Sequence, residues 1–335
     1  MKPVRRPSAA LLGVAGLLAT ILAGLGLSVA RQMRLAPQTS TQISYMPMVF
    51  RSNTPTPAPS GTPLPVTPPV SGDWHDVLGY YRASARLPGL GENLGWSDGA
   101  FQHARYMVKN DVLTASEVNG APWYSQAGAE AAPSSNLILT DNTGTSDRQA
   151  LDSWMAKPFH ALGVIDPALL STGFGSFRED AGQLDPFKMG AALDVRRGLG
   201  AIPGSVQFPV KWPEHNATVY LTLYDGTEQP DPLSSCSGFS PPSGLPIILQ
   251  LGPGSVTPAV TAHSFKRGTT NLAHCIFDET NYANSIAELQ VLGRGLLNAS
   301  DAVVLIPQAP LTAGDYTASI TANGVVTTWT FHVAP

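Results

Sequence analysis

The segment 147–177, DRQALDSWMAKPFHALGVIDPALLSTGFGSF, sets the tightest limits on how this chain can fold. In its first half Ala150, Leu151, Trp154 and Met155 recur at helical spacing and build one apolar face. Ser146 or Thr145 can cap that helix, and Asp147 falls in its first turn, where the helix dipole favours an anion. Pro158 stops it, because proline lacks an N–H and biases Lys157 away from helix. His160 is thereby expected at a bend, outside any helix. Gly173-Phe174-Gly175-Ser176-Phe177 then alternates small and aromatic residues, the pattern of a strand that a helix approaches closely.

Two further helices precede this segment. Trp74, Val77, Leu78 and Tyr81 lie at i, i+3, i+4 and i+7, and Leu87-Pro88-Gly89-Leu90 ends the first. Ser97 is expected to cap the second, SDGAFQHARYMVKND, in which Ala100, Ala104, Met107, Val108 and Asp111 share a face. Strands are expected at 170–177, 189–196 and 217–224. Helices and strands mixed in this way predict an α+β class, an α-β-α sandwich.

After Pro230-Asp231-Pro232 the texture changes. Runs at 247–251, 256–264, 286–292, 302–306, 316–321 and 327–333 read as strands separated by Gly, Pro and Asn turns, which predicts an all-β sandwich. Val303-Val304-Leu305-Ile306 fits a central strand, and Asn323-Gly324 fits a hairpin turn between the last two.

At the other end, Lys2, Arg5 and Arg6 precede an uncharged run, 7–30, that as a helix would span about 36 Å. Two readings fit it: a signal peptide cleaved after Ser28-Val29-Ala30, or a retained signal anchor. The Pro/Thr-rich stretch 51–71 cannot bury a core and predicts a polyproline stalk. The expected organisation is therefore 1–35 signal or anchor, 36–72 linker, 73–228 first domain and 229–335 β-sandwich. A charged fraction of 13% suits an extracytoplasmic surface, and a net charge of −4 without a basic patch excludes nucleic acid as a partner. Cys236 and Cys275 are the two cysteines of the chain. They exclude a cysteine-ligated metal cluster and allow one disulfide, expected in an oxidising compartment, against two buried free thiols.

The order Trp154-Met155-x-x-Pro158-x-His160, a short helix, then Gly-Phe-Gly resembles the heart of a CAP domain. That superfamily holds the cysteine-rich secretory proteins, antigen 5, the pathogenesis-related proteins and the bacterial SCP-like extracellular domain. Tyr81-Arg82 followed by Leu87-Pro88-Gly89-Leu90, and Trp96-Ser97-x-x-Ala100-x-x-His103-Ala104-x-Tyr106-Met107, are similar to its opening helices. The resemblance covers 73–224. It implies a cleft in which two histidines and two acids can hold a divalent metal. His160 matches the second histidine. The first falls on Ala115, the acid of the Gly-Glu-Asn motif on Ser135, and the acid of the third helix near Lys157, so three of the four positions lack a ligand. Glu117 and Glu130 lie close by in sequence as compensating candidates. The cleft candidates are therefore His160, Glu117, Glu130 and Ser135, with no metal and no cofactor expected. His103 reads as a packed or surface helix residue; Trp123 and Tyr124 read as filling a loop core or stacking on a ligand.

Pro310-Leu311-x-x-Gly314-x-Tyr316, then Trp329-x-Phe331, resembles the end of bacterial Ig-like domains, which implies a spacer or adhesion element. Together the resemblances imply a surface-tethered extracytoplasmic binding or interaction module, held to a membrane by its N-terminal segment, for a lipid, glycan or peptide. The rival readings are a His-dependent or metal-assisted hydrolase acting through His160, and a structural cell-surface spacer. A serine hydrolase is disfavoured, since no Gly-x-Ser-x-Gly elbow occurs.

Overall fold

The computed structural model describes residues 73–180 and 186–335. The N-terminal run and the Pro/Thr-rich stretch lie outside them. Among the described residues no helix is long and apolar enough to cross a membrane.

The first half is built on a three-stranded antiparallel sheet of β2 (Ser135–Thr140), β5 (Met189–Asp194) and β4 (Phe174–Arg178), with β5 in the centre. Helix α1 (Trp74–Ala83) is capped by Asp73, whose carboxylate accepts the amides of His75 and Asp76. Helix α2 (Leu94–Lys109) begins three residues earlier than its expected cap, because Asn93 takes that role. Ser97 instead donates to Glu92 at 2.6 Å and accepts the Phe174 amide. A short parallel pair, β1 (Gly91–Glu92) with β3 (Ser171–Thr172), leads into α2 and β4.

Helix α2 lies on the sheet at β4 and β5 through the glycines that flank Phe174. A Cβ on Gly175 would overlap the Phe101 amide nitrogen, and one on Gly173 would sit 2.5 Å from that of Ser97. Phe174 itself packs with Trp74, stacked at 5.2 Å, and with Trp154, edge-on at 6.4 Å. Helix α3 (Gln126–Ala131) packs beside α2. Helix α4 (Asp147–Met155) carries the expected cap as a full capping box, with Ser146 and Gln149 bonded reciprocally. The result is an α-β-α sandwich.

The chain breaks after α4 and restarts at once as α5 (Pro158–Val164), with proline in its first position. His160 is therefore in the first turn of a helix, which corrects the expected bend. Proline ended one helix and began the next.

The second half holds two sheets. One runs β13 (His274–Phe277), β14 (Ala302–Pro307), β10 (Ile247–Gln250), β6 (Val210–Trp212). The other runs β12 (Thr270–Asn271), β11 (Val260–Arg267), β15 (Gly314–Ala322), β16 (Val325–Val333), β7 (Thr218–Val219). Val303, Val304, Leu305 and Ile306 are fully buried in β14, and Phe265, Tyr316 and Phe331 stack at 5.5–6.3 Å. Asn323 (φ 51°) and Gly324 (φ 77°) make the β15–β16 turn, as expected of that dipeptide.

Two expectations fail here. The run at 286–292 is not a strand but the start of helix α6 (Ala287–Asn298). Leu289, Leu292, Gly293 and Leu297 form its buried face, and Gly293 lies so close to the Tyr282 ring that any Cβ would overlap it. The strand expected at 217–224 splits into β7, parallel to β16, and β8 (Leu223–Tyr224), which pairs with β9 (Ser243–Gly244). Strands β6 and β7 thus belong to the sheets of the second half, although both precede residue 229.

The two halves share one apolar core. Tyr81 meets Trp212 edge-on at 5.5 Å, and Phe159 packs on Phe277 and Tyr282 at 6.4 and 5.3 Å. Tyr80 donates to the Thr218 carbonyl, and Gln250 to that of Ile165. Arg82, fully buried, donates to the carbonyls of Pro88, Val164, Asp166 and Leu169, tying α1 to the exit of α5. Cys236 and Cys275 form a disulfide that fastens the chain leaving the first half to β13.

Candidate functional site

Helix α5 has no side-chain cap of its own at Lys157. Glu228 supplies one from 68 residues further along: one carboxylate oxygen accepts the His160 backbone amide at 2.8 Å and faces the His160 Nδ1 at 2.6 Å. A buried carboxylate at a helix N-terminus satisfies an orphan amide and sits at the positive end of the dipole. Glu228 is completely buried, and its own amide donates to the Tyr224 hydroxyl at 3.3 Å. Burial, with Glu228 and Asp231 nearby, pushes the Tyr224 hydroxyl pKa far up, so that residue stays a neutral phenol. The second Glu228 oxygen is buried with no hydrogen-bond partner among the described residues.

This arrangement fixes the tautomer of His160. An imidazole nitrogen against a carboxylate donates, so Nδ1 carries the proton and Nε2 of the neutral ring is left as an acceptor. The side chain is 24% exposed. Asn136 of β2 donates to the His160 carbonyl at 3.0 Å, and Lys157 reaches Ser153 at 2.9 Å and Asp225 at 4.0 Å. The 224–228 turn therefore grips the start of α5 through both Asp225 and Glu228. Sequence reasoning missed that turn. The only available signal was an acidic pair three residues apart in a loop, and its partners lie far away in sequence.

The other candidates do not join His160. Glu117 is buried and spent: one oxygen faces His103 Nδ1 at 3.0 Å, and the other accepts the Ser125 amide at 2.8 Å, at the cap of α3. His103 is fully buried, its Nε2 against the Thr114 carbonyl at 2.8 Å. Both ring nitrogens face acceptors, so one proton lies between Nδ1 and the Glu117 carboxylate. Glu130 is exposed on α3 and accepts from Gln126 at 2.8 Å. Ser135 donates to the Ala131 carbonyl at 2.9 Å. Trp123 does not fill a loop core: it is 46% exposed, held at φ 64°, with Arg105 and Lys109 at 5.3 and 4.8 Å from its ring.

The metal that the resemblance implies does not fit this donor set. Ala115 is buried and offers no donor, the Ser135 hydroxyl is engaged, and Lys157 is a cation. Among the described residues no three His, Cys, Asp or Glu side chains converge as a metal-holding group.

No curated protein matches the chain. Residues 75–184 match the family model described as CAP, the cysteine-rich secretory protein family. Domains of this family are typical of extracellular proteins, and an oxidised Cys236–Cys275 pair accords with that setting. The close-packed glycines and the His160 turn lie inside the matched segment, so the α-β-α half of this protein is similar to a CAP domain, and a β-sandwich follows it.

Proposed function

We propose that this chain is an extracytoplasmic interaction module, tethered at a cell surface, whose CAP domain binds a ligand without turning it over. The observation that carries this reading is the fate of the cleft residues. His160 is engaged by Glu228 as part of a helix cap, and the positions at which the family places its other ligands carry Ala115, Ser135 and Lys157. The tether rests on the sequence of the uncharged run 7–30 and of the proline-rich stretch 51–71, both outside the described residues.

A second reading has one observation in its favour. A histidine with Nδ1 on a buried carboxylate and Nε2 unengaged among the described residues is the base half of a hydrolytic pair. Hydrolysis of p-nitrophenyl esters and of casein by the purified protein, beside a His160→Gln variant, separates the two. No turnover above buffer is expected from either protein. Turnover that disappears in the variant would establish the hydrolase. The tether is tested by fractionating cells that express the full chain: recovery in the membrane fraction is expected, and a soluble product starting at Arg31 would refute it.

A further inference from the structure

His263 of β11 and His274 of β13 stand on different sheets of the sandwich, yet their rings meet at its edge. Nδ1 of His263 lies 2.9 Å from Nε2 of His274, with the ring planes at 81°. His274 is oriented from behind: its Nδ1 lies 2.7 Å from the Leu272 carbonyl, which can only accept. That contact places the His274 proton on Nδ1 and leaves its Nε2 lone pair facing His263. A backbone carbonyl behind one imidazole nitrogen is the usual outer support of a metal-ligating histidine. The Phe265 ring packs edge-on against His274 at 6.3 Å, and the neighbouring Cys275 is held by its disulfide, so this ligand is anchored. His263 is exposed, with its Nδ1 directed at His274.

We propose that His263 and His274 form a two-histidine site for a divalent copper ion at the sandwich edge. The spacing, spanned by a hydrogen bond while no ion is bound, suits a pair of neighbouring ligands in a square plane. With metal–nitrogen bonds of about 2.0–2.1 Å, two nitrogens 2.9 Å apart subtend about 90° at the ion. That is the angle between neighbouring corners of a square plane, the geometry of Cu(II) and Ni(II); a tetrahedral zinc site wants a wider angle and nitrogens about 3.3 Å apart. Each lone pair must swing about 45° from the nitrogen–nitrogen line to meet the ion, and the proton on His263 Nδ1 passes through solvent to Nε2. No net proton leaves the neutral pair. Water completes the plane. The bound ion joins the two sheets.

The test uses the tag-free full chain at pH 7.5, titrated calorimetrically with Cu(II), Ni(II) and Zn(II) and examined by electron paramagnetic resonance. One saturable copper site with two nitrogen couplings is expected, binding copper more tightly than nickel and nickel more tightly than zinc. His263→Ala and His274→Ala should each weaken copper binding by at least about tenfold, whereas His332→Ala should leave it unchanged. His263 is exposed, so its variant decides the matter even if His274→Ala fails to fold. Copper binding unaltered in His263→Ala, zinc bound as tightly as copper, or no saturable site would each overturn the assignment.

Discussion

Replacing Glu228 with glutamine keeps the shape of the α5 cap and removes its charge. Two donors meet the native carboxylate, the backbone amide and Nδ1 of His160. Hydrogen bonds to a charged group contribute roughly 1.5–3 kcal/mol each, and neutral ones about 1. One oxygen meets both donors, so the glutamine oxygen can still accept both, and each bond is weakened from a charge-assisted to a neutral one. The charge–dipole interaction, about 0.3–1 kcal/mol, is also lost. Against this, the native side chain buries an oxygen without a partner, a cost that glutamine retains with its amide nitrogen. The expected net loss for Glu228→Gln is about 2 kcal/mol, and Glu228→Ala should lose about 3–5, since it leaves the donors unpaired. Urea unfolding measures both, and the shared core predicts a single transition. Long-range nitrogen–proton correlation spectra read the tautomer directly: His160 should be Nδ1–H in the native protein and shift toward Nε2–H in the alanine variant, which removes the acceptor. A native Nε2–H tautomer, or a glutamine variant as stable as the native protein, would refute the cap.

The remaining expectations concern the core. Arg82, whose pKa burial lowers to about 10, still carries its charge at pH 7 onto four carbonyls; Arg82→Lys cannot reach all four and should cost about 3 kcal/mol or more in urea unfolding, while near-native stability would show that charge alone suffices. Gly175→Ala should force α2 off the sheet and lower the melting temperature by several degrees or more, measured by circular dichroism. Reducing Cys236–Cys275, which closes a separation of 39 residues, should cost about 4 kcal/mol in the chain-entropy model, measured by urea unfolding with and without reductant. Asp152 accepts from the Tyr81 hydroxyl, and burial raises its pKa above 3.8. Folding therefore favours the protonated acid, a contribution present below pH 3.8 and lost as pH rises through the raised value; Asp152→Asn should flatten that part of the stability–pH curve.

What could be read in advance was local. The faces of α1, α2 and α4, the Ser146 cap, the helix approach at Gly173 and Gly175, and the Asn323-Gly324 turn all depend on residues a few positions apart. Helix α6 was misread because Ile286 and Val291 favour strands, while Gly293 and Gly295 weaken a helical pattern; its contact with Tyr282 decides the matter. Ser97 was misplaced as a cap because Asn93 offered the same chemistry four residues earlier. The partners of His160, His103 and Glu117 arise from long-range folding, and no spacing rule announces a carboxylate 68 residues away.

The placement of β6 and β7 bears on how the chain can be dissected. The chain passes through the sandwich edges, at Ile248 beside Trp212 and at Val333 beside Val219, before it reaches the turn that caps α5. Severing it at residue 228 would leave β10 and β16 with naked edges and strand the missing ribbons, with an exposed Trp212, on the other piece. Such fragments are expected to cling to each other or to copies of themselves. The α-β-α half and the sandwich are therefore expected to fold as one object, and a cut at the boundary after residue 228 would disrupt both.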